Sequence, residues 1–197
     1  MKTRSFAALA LAAVLAASAS AFSTPQPEGV NIGQPVADFK LADADGREHS
    51  LSTLKGEKGT VLIFISTQCP MVKAYAERIE KLAQDYRAKG VNVVGINSNV
   101  AETADDIKGQ IKNESFSFVI LKDKSNKIAD MLGAERTPEA YFLDASNKLV
   151  YHGRIDNHKN VTLVQSNDLR EAIDETLAGK AVTKAEAAAF GCTIKRG

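Results

Sequence analysis

The sequence predicts an α/β fold, a mixed central sheet flanked by helices, with an N-terminal β-hairpin and a C-terminal tail. Three observations predict it. Val61-Leu62-Ile63-Phe64-Ile65 is an unbroken apolar run with three β-branched residues, framed by Gly59-Thr60. A strand covered on both faces reads this way. Val91-Asn92-Val93-Val94-Gly95-Ile96 is a second such run, and a helical pattern lies between the two. The order of elements is ββ-βαβαβα-ββα, which gives a partly parallel sheet with helices packed on it.

The first 21 residues stand apart from that domain. Met1-Lys2-Thr3-Arg4 is basic, Phe6–Ala17 is apolar and rich in Ala, and Ala19-Ser20-Ala21 supplies small residues for cleavage. This is the pattern of a secretory signal peptide. The apolar stretch is short of the ~20 residues that a spanning helix needs, an uncleaved anchor being the alternative. Residues 22–35 carry Pro25, Pro27, Gly29, Gly33 and Pro35 and read as a flexible lead-in to a domain over 36–179. Asp38–Leu41 and Glu48–Leu51 flank Asp45-Gly46 and form a hairpin.

Val61–Ile65 is the next strand. Val72, Tyr75, Ile79, Leu82 and Tyr86 then recur at helical spacing, with Lys73, Glu77, Arg78, Lys81 and Asp85 between them. Pro70 suits the first turn of that helix and Lys89-Gly90 closes it. After the strand Val91–Ile96 come a helix over Asp105–Lys112, a strand over Phe116–Leu121 and a helix over Lys124–Leu132 ended by Gly133. A second hairpin joins Ala140–Leu143 to Leu149–His152, and Leu169–Leu177 is a last amphipathic helix. Residues 180–197 form an Ala-rich tail.

The 197 residues carry 25 basic and 24 acidic side chains. Losing Lys2 and Arg4 with the leader turns the formal charge of +1 slightly negative, and no basic patch points to nucleic acid. Export places the domain in an oxidising compartment, periplasmic or otherwise secreted, where disulfides persist. The chain has two cysteines, Cys69 and Cys192.

Cys69 lies in Ser66-Thr67-Gln68-Cys69-Pro70, at a strand-to-helix junction. Unpaired backbone N–H groups and the positive end of a helix dipole favour the thiolate there, and the thiolate is the reactive form. Ser66, three residues earlier, is placed either to hydrogen-bond that thiolate or to cap the helix. Arg136-Thr137-Pro138 precedes a strand. The Thr137–Pro138 bond is a candidate for the cis form, and Thr137 would then offer its backbone to an extended partner near the thiolate. Arg136 would lower the thiol pKa or hold a polar substrate, unless it is a solvated neighbour of a strand-initiating proline. Cys192, beside Gly191, is either a mobile thiol that swings to Cys69 or half of a static disulfide. A static staple closing so long a loop is worth about 4–5 kcal/mol on the loop-entropy account. His49, His152 and His158 lack metal-ligand spacing. Cys69 with Met71 is a soft pair suited to Cu(I), against the simpler reading of Met71 as core or site lining.

Gly33-Gln34-Pro35-Val36-Ala37-Asp38-Phe39, the Asp45-Gly46 hairpin, Ser50–Gly56 and the run VLIFISTQCP resemble the redoxin families. These are the alkyl hydroperoxide reductase/thiol-specific antioxidant proteins and their thioredoxin-like relatives. Thr137-Pro138 with Ala140–Asp144 is similar to the cis-Pro strand of the thioredoxin fold. CPMVKAY and GCTIKR look like the exported, peroxiredoxin-like branch.

The resemblance implies a thioredoxin-like fold with Cys69 as redox centre. Ser66-Cys69-Pro70 leans toward the peroxiredoxin T-x-x-C-P pattern. Leu62 departs from it, standing where those proteins have Pro, and Thr137-Pro138 belongs to the thioredoxin side. No second cysteine lies near Cys69 in sequence, so the resolving thiol is Cys192 or an external reductant. The expected function is reduction of peroxides by Cys69, with Ser66 and Arg136 holding the peroxide and Cys192 resolving. Thiol–disulfide exchange with proteins docked at Pro70, Thr137 and Pro138 is the first alternative. A copper-binding or merely disulfide-stapled protein is the second. The expected partners are a peroxide or disulfide substrate and a thioredoxin-like reductant protein, with homodimerisation open. No cofactor, no metal, no nucleic acid and no stable membrane insertion after leader cleavage are expected.

Overall fold

The structure, a computed structural model, describes residues 29–197. The predicted leader, residues 1–21, lies outside the described residues, as does the first half of the lead-in.

Strand β3 (Gly59–Phe64) is buried at every position, as its continuous apolar run requires. It pairs in parallel with β4 (Val91–Asn97) on one side and antiparallel with β7 (Glu139–Asp144) on the other. Outward from β4 come β5 (Ile120–Lys122), then β1 (Lys40–Asp43) and β2 (Glu48–Ser50). Outward from β7 come β8 (Leu149–Gly153) and β9 (Glu186–Ala187). The eight strands run in the order β2-β1-β5-β4-β3-β7-β8-β9.

Helix α1 (Leu51–Leu54) is a single turn held by a capping box between Ser50 and Thr53. The long helix α2 (Pro70–Arg87) buries Val72, Tyr75, Ile79, Leu82 and Tyr86 against one face of the sheet. Helix α3 (Ala104–Glu114) has its own capping box, Thr103 with Asp106. Helix α5 (Asp168–Leu177) packs with α2 on the same apolar cluster, while the short α4 (Lys127–Leu132) covers the opposite face.

The predicted elements therefore form, with shifted ends. The strand expected over Phe116–Leu121 starts only at Ile120, because Phe116 and Phe118 pack as a tilted ring pair under α2. Two segments differ in kind. Residues 29–35 are not a loose lead-in: the Gly33 N–H donates to the Leu149 carbonyl, Pro35 bridges to Lys148, and Val30 and Ile32 lean on the core. The tail is likewise built in. It adds β9 to the main sheet, and β10 (Cys192–Thr193) pairs antiparallel with β6 (Arg136–Thr137) in a small ladder of its own.

Candidate active site

Strand β3 ends at Phe64 and delivers the chain through Ser66-Thr67-Gln68 to Cys69, the N-cap residue of α2, with Pro70 as its first helical residue. No side chain caps this helix. The sulfur itself therefore stands at the unsatisfied, positive end of an 18-residue helix. The residue is 3% exposed. Its thiol donates to the Thr137 carbonyl across 3.1 Å. The Thr137–Pro138 bond is cis, as the sequence predicts. The Thr137 hydroxyl is buried with no hydrogen-bond partner.

Burial works against ionising Cys69. The polar groups around the sulfur, the Cys192 thiol first, then the Thr137 side chain and the backbone N–H groups of Val72 and Cys192, outweigh it, and the pKa falls below that of an ordinary thiol. Cys192 responds in the opposite sense, pushed up by its own burial and by the neighbouring Cys69. Both cysteines are free thiols. The site thus pairs a buried low-pKa sulfur with a half-buried high-pKa sulfur, which is the arrangement of a nucleophile and a partner that donates to it. Strand pairing with Thr137 holds Cys192 beside Cys69.

Ser66 and Arg136, the two residues expected to serve Cys69 directly, are engaged elsewhere. The Ser66 hydroxyl donates to Glu102 at 2.5 Å and accepts from the Gln68 N–H. It does not cap α2 and makes no hydrogen bond to the thiol. The reason is Glu102, a buried carboxylate under the loop that also accepts from the Thr67 N–H and the Asn97 amide. Lys122 balances this charge from the next strand, bonded to the Asn97 amide oxygen and the Asn99 carbonyl. Burial lowers the Lys122 pKa, opposed by the charges of Glu102 and Asp123. Arg136 is exposed, and its guanidinium reaches the Thr193 hydroxyl at 3.4 Å.

The second unpredicted element is Glu139. It follows the cis-proline and accepts from the Glu135 and Arg136 N–H groups, the Tyr141 hydroxyl and His152. Burial tends to raise its pKa, yet these donors, His152 first, hold it low. His152 stacks on the Tyr141 ring with centroids 4.3 Å apart. A charge at the first position of an apolar strand pattern, Glu139-Ala140-Tyr141-Phe142, was the one available signal. Met71 packs, half-buried, on the main core. Among the described residues no group of three or more His, Cys, Asp or Glu side chains is placed to hold a metal.

Comparison with known proteins gives the family. The sequence pattern of the AhpC/TSA family matches residues 32–152, more than half of the chain and all of the span from β1 through the cis-proline strand. The chain belongs to the AhpC/TSA family. Within that redoxin family it is similar to the thiol-disulfide oxidoreductase ResA of Bacillus cereus, 28% identical over 123 residues, covering 62% of this chain and 69% of that protein. It is also similar to the chloroplastic peroxiredoxin Q of Populus jackii, 28% identical over 141 residues, covering 67% of this chain and 65% of that one. A hypothetical protein from Sinorhizobium meliloti superposes with a TM-score of 0.80 at 36% identity, covering 86% of this chain and 97% of its own. The thioredoxin domain of a Bacteroides vulgatus thiol-disulfide oxidoreductase superposes at a TM-score of 0.56 and 18% identity, covering 63% of this chain and 89% of that domain. The fold is thioredoxin-like, and this AhpC/TSA protein is an oxidoreductase.

Proposed function

We propose that the chain is an exported thiol–disulfide oxidoreductase that reduces disulfides in protein clients with Cys69 and Cys192. The supporting observation is the position of Cys192, whose thiol meets Cys69 beside the Thr137–cis-Pro138 bond. The peroxide reading relied on Ser66 and Arg136 at the sulfur, and both are bonded to other groups. Exchange needs neither.

The Cys69 thiolate attacks one sulfur of a client disulfide. A Cys69–client bond forms, the client S–S bond breaks, and the second client sulfur leaves as a thiolate. Cys192 then gives up its proton and attacks Cys69. The Cys69–Cys192 disulfide forms and the client leaves reduced. A thioredoxin-like reductant protein restores both thiols. Thr137, Pro138 and Pro70 line the approach of the client backbone. Export rests on the leader pattern, and no helix among the described residues is long and apolar enough to cross a membrane.

The test is trapping. Cys192→Ser should accumulate a mixed disulfide between Cys69 and a protein client, and Cys69→Ser should accumulate none. An absence of trapped clients in periplasmic extract would count against the proposal.

A second reading, peroxide reduction, draws support from Pro70 after the reactive cysteine and from the likeness to peroxiredoxin Q. A Cys69 sulfenic acid would find Cys192 at hand to condense with, releasing water.

A further inference from the structure

The ladder of β6 and β10 stands apart from the main sheet, with Cys192 opposite Thr137 and Thr193 opposite Arg136. Thr137 is also the residue whose carbonyl receives the Cys69 thiol. The tail therefore lies extended and antiparallel along the edge where, on the exchange reading, a client would lie, and it presents a cysteine to Cys69 as a client would. Two further features mark a fitted seat. A Cβ at Gly191 would overlap the Thr137 carbonyl oxygen, so the residue before the cysteine has to be glycine in this register. Beyond the cysteine, Ile194 is 3% exposed in the second apolar cluster, and its N–H donates to the Glu135 carbonyl at 2.9 Å. Lys195 bonds Asn99, and Arg196 bonds Asp130 and the Ala134 carbonyl.

We propose that Gly191–Thr193 is a resident strand standing in for a client, and that protein clients reach Cys69 by exchanging an extended, cysteine-bearing strand of their own for this one. The proposal rests on the exchange reading above. Its consequence is ordered resolution. While a client strand holds the Thr137 edge, Cys192 is away from Cys69, and the same return of the tail that brings Cys192 back to attack also evicts the client backbone. The partner selected is an unfolded or loop segment able to pair in β fashion, with glycine before its cysteine.

The test uses full-length protein carrying Cys192→Ser, so that the Cys69 adduct persists. The tail is unseated by two independent routes, Gly191→Val through the clash with Thr137 and Ile194→Ser through loss of the apolar anchor. Circular dichroism checks the fold of each. The probe is the peptide Phe-Gly-Cys-Thr-Ile whose thiol is activated as a thionitrobenzoate disulfide, with Ellman's reagent as the small control. Cys69 takes up the peptide sulfur and releases thionitrobenzoate, read by absorbance. A seat open in only a small fraction of molecules suppresses the apparent rate by that fraction, so unseating should raise the peptide rate about tenfold or more and the Ellman's rate far less. Equal increases for both probes would mean that the tail merely covers the sulfur, and would overturn the proposal. So would an unchanged peptide rate while Cys69-dependent exchange proceeds. Absence of Cys69-dependent reaction with either probe in every variant would remove the exchange reading itself, and the proposal with it.

Discussion

Cys192 lies directly across the β6–β10 ladder from Thr137, and the Thr137 carbonyl accepts the Cys69 thiol at 3.1 Å. One residue thus connects both cysteines. Its carbonyl holds the first, its strand position holds the second, and the peptide bond after it is cis. The three groups come from separate parts of the chain and meet only because β7 runs beside β3 at the centre of the sheet.

The acidity of Cys69 depends on Cys192. The pKa of Cys69 lies below an ordinary thiol despite burial, and the Cys192 thiol is the first of the groups that lower it. Reduced protein should therefore show a thiolate absorbance step below the normal thiol range, and Cys192→Ala should move that step upward. Alkylation of Cys69 should follow the same profile, rising with pH through the step and levelling above it. An unmoved step in Cys192→Ala would contradict the assignment.

Ser66→Ala separates two roles. If the hydroxyl served the thiolate, its loss would raise the Cys69 pKa. The structure gives the hydroxyl to Glu102, so the loss should fall on stability, by about 1–3 kcal/mol for a buried carboxylate deprived of a donor. Urea unfolding should show the loss, while the thiolate step stays in place.

Glu139→Ala removes one carboxylate that holds two backbone N–H groups, a tyrosine hydroxyl and His152. Leaving one buried and three half-buried donors unpaired should cost about 2–4 kcal/mol in equilibrium unfolding. It should also slow exchange at Cys69, since the bonds to Glu135 and Arg136 hold the approach to Thr137–Pro138.

Asp168 governs part of the acid sensitivity. Burial would raise its pKa, but Arg154, Lys184 and Ser166 hold it at about 2, against 3.8 for a free aspartate. The folded state binds this proton more weakly than the unfolded state. The stabilisation is therefore complete above the unfolded pKa and is lost as pH falls toward about 2. Unfolding followed from pH 6 to pH 2 should show Asp168→Asn with a lower plateau and a shallower acid decline than the parent.

What was legible in the sequence was whatever periodicity or local rules encode. Val61–Ile65 and Val91–Ile96 are continuous apolar runs, and both are central strands. Val72 through Tyr86 is an amphipathic repeat, and it is the buried face of α2. Thr137-Pro138 before an apolar strand carried the cis bond. The tail was not legible because β9 and β10 are two residues long each. Backbone pairing holds them, and single apolar anchors such as Ile194 leave no period to read. The Ser66–Glu102 bond was hidden for a related reason: it joins residues 36 apart, and Glu102 sits in a polar stretch that reads as solvated loop. The place of Arg136 was not legible, because proximity in sequence to Thr137 fixes only its backbone, and alternation along β6 sends neighbouring side chains to opposite faces, the guanidinium reaching Thr193.

The most direct test of the account is a side-by-side rate measurement on the reduced protein lacking its leader. One arm offers an unfolded protein disulfide and the other hydrogen peroxide, with product masses recorded and Cys69→Ser as control. The account predicts Cys69-dependent reduction of the protein disulfide as the faster arm, ending in an intramolecular Cys69–Cys192 disulfide. Fast, Cys69-dependent consumption of peroxide, with protein-disulfide exchange no quicker than that of a free thiol, would contradict it.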